Sequence, residues 1–239
     1  EDIIIIPGSK NTVEDMKDIV DKKINTKIVE LAKRGTIVFG ICGGFQILGQ
    51  KIMDPKKTES NLKEIAGLDL LDIETVMEIE KTTTQYSNTI KQATGILSGS
   101  NGMEIKGYEI HQGYSYAVNQ ENGDKKGIKE IKEKNEDSIK CIFDDEKLKG
   151  AVKGNVAGTY IHGIFDNSQF TNYFLNEVRE IKGLDKIDET FSYSEYKNKE
   201  YDKLANVLRE SYGVCGLANV SPKDGIYQLL GWDNLGKGV

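Results

Sequence analysis

The chain has 239 residues, of which 38% are hydrophobic and 29% charged, and its net charge at pH 7 is −6. This composition predicts a soluble globular protein with one large domain, or with one domain and an appended lobe. The negative charge is spread along the chain, which excludes the clustered basic surface that binds nucleic acid. No apolar run reaches the roughly 18 to 20 residues that a membrane span needs, so we expect no membrane partner.

The cysteines and the first residues bear on location and completeness. Three cysteines, at positions 42, 141 and 215, are too few and too far apart for a disulfide framework or a C-x-x-C metal site. No secretory signal is visible. We therefore expect a reducing, cytoplasmic location and no metal. Because the chain starts on a run suited to a central strand, without an initiator methionine, we expect it to be part of a longer polypeptide.

The first forty residues predict the start of a parallel sheet. Ile3 to Ile6 read as a buried strand, and a loop from Pro7 leads to a helix capped by Thr12. A second helical pattern ends at Gly35, and residues 37 to 41 form the next apolar run. This strand–helix–strand order predicts an α/β fold with a mostly parallel central sheet flanked by helices. Ligands in such sheets bind at the carboxyl ends of the strands.

Cys42 stands where the second strand turns into a helix, in the frame Gly40-Ile41-Cys42-Gly43-Gly44. This is the cysteine version of the nucleophile elbow, in which glycines permit a strained turn that exposes the junction residue. The N–H groups of the following helix favour thiolate over thiol, and that of Gly43 is a candidate oxyanion donor. The loop residues Gly8 and Ser9, at the same sheet edge, are candidates for the second donor. The alternative is that Cys42 is a small buried core residue.

The rest of the chain predicts a second, smaller and antiparallel β region, then more strands and helices. The β region comprises four short strands, at 73–79, 90–96, 107–110 and 114–118, followed by a solvated loop at 119–138. Further strands are predicted at 138–143 and 156–161, and helices at 168–183, 194–212 and, briefly, around 226–230. The domain assignment is therefore 1–213 for the main domain and 214–239 for a C-terminal extension.

A cysteine nucleophile needs a base, and the chain offers two histidines. His162 follows the strand at 156–161 and so also emerges at a strand end, which favours it as the acid/base. His111 lies within the antiparallel β region, where a structural role with its ring nitrogens bonded to backbone is favoured. A cysteine–histidine pair on an α/β sheet permits acyl transfer through a thioester.

Several motifs together resemble the C-terminal glutaminase domain of the cobyric acid synthase family, within the class I glutamine amidotransferases. They are Pro7-Gly-Ser-Lys-Asn-Thr12, Gly40-Ile-Cys-Gly-Gly-Phe-Gln46, Gly107-Tyr-Glu-Ile-His111 and Gly158-Thr-Tyr-Ile-His-Gly-Ile-Phe165. The resemblance runs from Ile3 to about Leu208 and implies that the opening strands of the domain are missing. It implies that Cys42 attacks the side-chain amide of L-glutamine, that His162 is its acid/base, and that Gln46 helps to hold the substrate.

The resemblance also implies cofactors and partners beyond this chain. In the family, ammonia passes to an N-terminal synthetase domain that uses ATP and Mg²⁺ to amidate carboxylates of a corrinoid, adenosylcobyrinic acid a,c-diamide, giving adenosylcobyric acid. This chain has no Gly-x-x-x-x-Gly-Lys-Ser/Thr loop, so we expect no cofactor in it and a corrinoid partner only through the missing domain.

One departure from the wider class concerns the third catalytic group. Most class I amidotransferases follow the histidine with Pro-Glu, whose carboxylate orients the imidazole, whereas Gly163-Ile164 stands here. Asp166 is a weak candidate substitute. The alternative functions are the glutaminase subunit of lipid II isoglutaminyl synthase, the related cobyrinic acid a,c-diamide synthase, and a non-catalytic binding module on the same fold.

Overall fold

Two β-sheets and the helices around them make up the first of two units of the chain. The computed structural model describes residues 1–118, 125–126, 138–188 and 192–212. The two units are Glu1–Thr190 and Phe191–Val239. The assignment of 214–239 to an extension stays a prediction, and the short helix expected around 226–230 lies outside the described residues, as does most of the loop expected at 119–138.

The strands and helices of the described residues are numbered in chain order. The strands are β1 (Ile3–Ile6), β2 (Ile37–Ile41), β3 (Lys51–Met53), β4 (Glu64–Ala66), β5 (Ile73–Thr89), β6 (Glu104–Val118), β7 (Lys125–Lys126), β8 (Lys140–Cys141), β9 (Gly150–Lys153), β10 (Val156–Thr159) and β11 (Ile161–His162). The helices are α1 (Thr12–Asp21), α2 (Ile24–Lys33), α3 (Gly43–Ile47), α4 (Ser168–Ile181) and α5 (Tyr193–Tyr212), and 3₁₀ turns occupy Gly95–Ser100 and Ile164–Asp166.

The first sheet carries the elbow and has its core on both faces. Its described strands lie in the order β1-β2-β10-β9-β8; β1, β2 and β10 are parallel, and β9 and β8 add antiparallel pairs. On β2, Val38 packs in one core with α1, α2 and α3, while Ile37 and Phe39 pack in another with α4. The prediction of an α/β fold with helices around a largely parallel sheet is therefore confirmed.

The position of β1 differs from the expectation. Among the described strands, β1 lies at the edge of the sheet, because only β2 pairs with it. Its Ile6 is buried, whereas Ile5 is 49% exposed. The prediction that Ile3 to Ile6 form a buried strand is therefore wrong for Ile5. A run of β-branched residues predicts a strand but does not by itself say how many neighbours pair with it.

The second sheet is larger than the predicted antiparallel region. Its described strands run in the order β11-β6-β5-β3-β4, with β7 also paired to β6. The separate short strands expected between 73 and 118 are instead two long strands, β5 and β6, joined through the 3₁₀ turn, so the strand predicted at 90–96 is wrong. A β-bulge interrupts their ladder between Val76 and Lys81, opposite Gly113. That irregularity and the polar middle of β5 break the alternation on which the prediction depended.

The segment that leads to His162 changes sheets. The predicted strand at 156–161 is two strands: β10 pairs with β2 in the first sheet, and β11 pairs with β6 in the second. Tyr160, the residue between them, is 1% exposed, and its N–H donates to the carbonyl of Lys149 at 2.8 Å. His162 therefore enters the region between the two sheets, beside the end of β2.

Candidate active site

Cys42 lies in the strained turn that the glycine frame predicts. It stands between β2 and α3 with φ 55° and ψ −112°, a backbone conformation that costs a non-glycine residue about 1–3 kcal/mol. The glycines allow a close approach of backbone: a β carbon at Gly44 would lie 2.0 Å from the carbonyl oxygen of Ile6. The elbow geometry predicted for residues 40–44 is therefore present.

The surroundings of Cys42 favour its neutral form. The side chain is 5% exposed, and its thiol donates to the carbonyl of Ile110 at 3.4 Å. Burial raises the pKa of Cys42, and the backbone N–H of Gly43 lowers it by less. The N–H of Gly43 thus favours the thiolate as expected, but burial outweighs it and the net pKa is raised. Helix α3 spans only Gly43–Ile47, and its effect is smaller than the loss of hydration.

His162 lies next to Cys42 across Gly8. A β carbon at Gly8 would lie 3.2 Å from Cε1 of His162 and 3.5 Å from Cβ of Cys42, so both side chains border the same small space. The imidazole stacks on Tyr108 with ring centroids 5.1 Å apart and an angle of 7°. Burial lowers the pKa of His162, and hydrogen bonding to the Ile110 backbone acts in the opposite direction. Its Nε2 is buried and without a hydrogen-bond partner among the described residues, so it is free to take a proton.

The loop of Gly8 and Ser9 packs against the start of α3. A β carbon at Gly43 would lie 2.9 Å from the backbone nitrogen of Ser9 and 2.8 Å from its Cβ. The three predicted donor residues, Gly8, Ser9 and Gly43, therefore lie together beside Cys42. The Ser9 hydroxyl itself donates to Asp15 and accepts from the N–H of Asn11, so its side chain orders the loop before α1. The role of these N–H groups toward an oxyanion stays a prediction.

Gln46 is buried and bonded within the protein. It is 2% exposed; its Nε2 donates to the carbonyl of Gln112 at 3.0 Å and to the hydroxyl of Tyr160 at 3.2 Å. Its Oε1 accepts from the hydroxyl of Thr12 at 3.0 Å. Both amide hydrogens are thus occupied, and the predicted contact between Gln46 and substrate stays a prediction; Oε1 retains a second lone pair that could accept from the substrate.

The residue that caps α1 is Asn11 and not Thr12. The cap of α1 is Asn11, whose Oδ1 accepts from the N–H of Glu14 at 3.0 Å, and Thr12 is the first helical residue. Prediction of a Thr12 cap is therefore wrong. An Asn-Thr pair offers two capping residues, and only the tertiary contact with Gln46 selects between them.

The role of Asp166 as a third catalytic group stays a prediction. Asp166 lies beside Gly163, with its Oδ2 3.4 Å from where a β carbon of that glycine would lie. In the described residues no hydrogen bond joins Asp166 to His162. His111 lies in β6 with Nδ1 3.1 Å from the carbonyl of Gly113 and Nε2 3.3 Å from the carboxylate of Glu109. These bonds are of the structural kind expected for His111, with Glu109 in addition to backbone.

Two residues near the site carry no signal in the sequence analysis. Ile110 contacts Cys42 through its backbone carbonyl, which any residue type provides. Tyr160 donates to or accepts from Ser115 at 2.6 Å and accepts from Gln46, and burial raises its pKa to about 12. The motif Gly158-Thr-Tyr-Ile-His162 contains Tyr160, but nothing in the sequence marks its hydroxyl as buried.

The described residues contain neither a cluster of metal ligands nor a membrane-spanning helix. Within residues 1–118, 125–126, 138–188 and 192–212, no three His, Cys, Asp or Glu side chains are grouped so that they could hold a metal ion. No helix in this described part of the chain is both long enough and apolar enough to cross a membrane.

Comparison with known proteins gives a family. The CobB/CobQ-like glutamine amidotransferase domain matches residues 1–170. The chain is 45% identical over 215 residues to a cobyric acid synthase of Thermoanaerobacter sp., covering 88% of this chain and 40% of the relative. It is also 45% identical over 232 residues to a cobyric acid synthase of Caldanaerobacter subterraneus, covering 96% of this chain and 42% of the relative.

The chain thus spans about two-fifths of the length of these relatives. The chain is also similar to a solved structure described as a glutamine amidotransferase, with 13% identity and a TM-score of 0.49; the match covers 74% of this chain and 79% of the other chain. Because the domain match extends over more than two-thirds of the chain and includes Cys42 and His162, the chain belongs to the CobB/CobQ-like glutamine amidotransferase family.

Proposed function

We propose that this chain is the glutaminase part of a cobyric acid synthase and that Cys42 and His162 release ammonia from glutamine. The observation that carries the proposal is the strained Cys42 at the end of β2, with the buried, unpartnered Nε2 of His162 beside it across Gly8. Relatives named cobyric acid synthase at 41–45% identity favour this function over the glutaminase of lipid II isoglutaminyl synthase.

The proposed reaction starts from a neutral pair, since burial raises the pKa of Cys42 and lowers that of His162. The thiol transfers its proton to His162 as sulfur attacks the side-chain carbonyl carbon of glutamine, forming a C–S bond. The tetrahedral oxyanion is held by the N–H of Gly43 and by the loop of Gly8 and Ser9.

The second half of the reaction returns the enzyme to its starting state. His162 gives its proton to the leaving nitrogen, the C–N bond breaks, and ammonia departs from a Cys42 thioester. His162 then removes a proton from water, which attacks the thioester; glutamate leaves and the thiol is regenerated. The acid and the base are the same imidazole, so no second titrating group is needed.

The partners of the released ammonia are part of the same proposal. In this proposal, ATP and Mg²⁺ activate the corrinoid carboxylates on a synthetase region that is separate from the residues of this chain. The proposal places the protein in the cytoplasm, where a reducing environment keeps the Cys42 thiol reduced.

The test is covalent trapping with 6-diazo-5-oxo-L-norleucine, a glutamine-like electrophile, followed by intact mass and peptide mapping. We expect one adduct on Cys42, blocked by excess glutamine, absent in Cys42→Ser and strongly slowed in His162→Ala. Labelling spread over Cys141 and Cys215, or an adduct that glutamine does not block, would contradict the proposal. Burial, which raises the pKa of Cys141 to about 11, makes that thiol a fitting internal control.

The acceptor is tested separately. The chain is mixed with the synthetase region of the Thermoanaerobacter relative, ATP, Mg²⁺ and adenosylcobyrinic acid a,c-diamide, and amidation is followed by mass spectrometry. Glutamine-dependent amidation that Cys42→Ser abolishes, while added ammonium salt restores it, is the expected result. Amidation from ammonium salt alone, never from glutamine, would argue against a cobyric acid synthase partner.

A further inference from the structure

One peptide unit on β6 touches both catalytic candidates. The carbonyl oxygen of Ile110 accepts from the thiol of Cys42 at 3.4 Å, and the Ile110 backbone also acts to raise the pKa of His162. The ladder between β11 and β6 ends at the pair Ile161 and Glu109, so Ile110 is the first residue of β6 beyond it. A shift of this peptide would therefore move the contacts of the nucleophile and the base together.

The two residues that flank Ile110 point to the opposite face of β6 and are buried. Glu109 is 3% exposed and His111 9% exposed, whereas Ile110 is 37% exposed. The Glu109 carboxylate binds Nζ of Lys149 at 2.7 Å and Nε2 of His111 at 3.3 Å. Burial acts to raise the pKa of Glu109, but these two bonds outweigh it and lower the pKa.

His111 is held from both ring nitrogens and from one ring face. Each ring nitrogen faces an acceptor, the carbonyl of Gly113 at Nδ1 and the carboxylate of Glu109 at Nε2. The ring stacks on Tyr160, with centroids 3.9 Å apart, and Tyr160 in turn bonds Gln46 in α3. Through these contacts the orientation of residues 109–111 is tied to the helix that follows Cys42.

Lys149 connects the same cluster to the segment that delivers His162. Its side chain binds Glu109, and its backbone carbonyl accepts from the N–H of Tyr160 at 2.8 Å and from the hydroxyl of Thr159 at 2.7 Å. Tyr160 is the residue at which the chain passes from β10 to β11. One residue therefore holds both the Ile110 side and the His162 side of the site.

We propose that Glu109, with His111 and Lys149, is a positioning unit that holds the Ile110 peptide against Cys42 and His162. The unit orients the pair from behind β6. The proposal rests on the proposed glutaminase function. In this proposal the motif Gly107-Tyr-Glu-Ile-His111 acts on the catalytic pair without touching the substrate.

The alternative is that this buried cluster only stabilises the fold, and the experiment separates the two. Glu109→Gln retains the shape of the side chain and removes its charge. A matched control is Asp72→Asn in a second partly buried ion pair, between Asp72 and Lys153 at 2.8 Å. For each variant, unfolding is measured with denaturant, and the rate constant and half-saturating concentration for trapping by 6-diazo-5-oxo-L-norleucine are measured separately.

A positioning role predicts a rate constant for Glu109→Gln about 10- to 100-fold below that of the wild type, because misplacement of reacting groups by about 1 Å costs about 100-fold. The half-saturating concentration should stay within about twofold, and Asp72→Asn should react like the wild type. Lys149→Met, at a more exposed position, should show a smaller loss of the same kind and carries the test if Glu109→Gln does not fold.

A Glu109→Gln variant that is trapped at the wild-type rate would overturn the inference while leaving the glutaminase proposal intact. If Glu109→Gln does not fold, a wild-type rate in Lys149→Met would do the same. Equal losses in Glu109→Gln and Asp72→Asn would also overturn it, because they would follow stability alone. Absence of glutamine-protected trapping in the wild type is a different result and would contradict the proposed function itself.

Discussion

Gly8→Ala is expected to leave the fold intact and to disable the active site. The added methyl carbon would lie 3.2 Å from Cε1 of His162 and 3.5 Å from Cβ of Cys42. The second distance is an ordinary contact, and the first requires His162 to move by a few tenths of an ångström. The backbone of Gly8 has no positive φ that would disfavour alanine. The methyl group therefore enters the space that the reacting carbonyl needs.

The magnitudes follow from this geometry. A small overpacking of this kind costs about 1–2 kcal/mol of unfolding free energy. The trapping rate constant at Cys42 should fall by about 100-fold or more, since displacement near 1 Å costs about that much and here the substrate space is also filled. Denaturant unfolding and the kinetics of trapping by 6-diazo-5-oxo-L-norleucine measure the two effects independently.

Gly44→Ala is the matched comparison, because it changes a neighbouring glycine with the opposite balance of effects. Its methyl carbon would lie 2.0 Å from the carbonyl oxygen of Ile6, which is backbone in β1 and cannot rotate away. The loss of unfolding free energy should exceed about 3 kcal/mol. A folded Gly8→Ala that reacts at the wild-type rate would refute the placement of Gly8 between the catalytic pair, and so would a Gly8→Ala that unfolds as readily as Gly44→Ala.

Three further outcomes are expected. The rate of glutamine-protected trapping should be constant between the pKa of His162 and that of Cys42, because the reactive form is the neutral pair. The pKa of His162 is below its usual 6.5 and that of Cys42 is above its usual 9.0, and the rate should fall outside these limits. Thr12→Val should lower the unfolding free energy by about 1–3 kcal/mol by leaving Oε1 of Gln46 without its partner, whereas Thr12→Ser, which keeps the hydroxyl, should cost less. Tyr160→Phe should cost about 1–3 kcal/mol by leaving Ser115 and Gln46 without its hydroxyl.

Each of these outcomes has a contrary result. Trapping or alkylation of free Cys42 with an apparent pKa well below 9.0 would mean that a thiolate–imidazolium pair is the resting state. Equal stability of Thr12→Val and Thr12→Ser would show that the hydroxyl bond to Gln46 contributes nothing. A Tyr160→Phe variant as stable as the wild type would show that water replaces the missing hydroxyl.

The elements determined by local sequence were predicted well. The strands β1 and β2, the ends of α2 and α4 near Gly35 and Gly183, and the elbow at Cys42 follow from apolar runs and glycine positions. Their signals act within a few residues: β-branched side chains favour strands, and only glycine relieves the crowding around the turn. The resemblance of the motifs likewise predicted the amidotransferase family that the domain match shows.

Tertiary structure decided what depends on segments far apart in the chain. The break at Tyr160, which sends β10 and β11 into different sheets, is set by which strands are available to pair. The net direction of the pKa of Cys42 depends on burial by residues more than sixty positions away, including Ile110. The sequence cannot identify a functional backbone group such as the Ile110 carbonyl, because every residue type has one. The sequence by itself therefore marked Cys42 and His162 as the candidate pair through local chemistry. Only the folded chain determined what surrounds and orients them, because those contacts are made across two sheets.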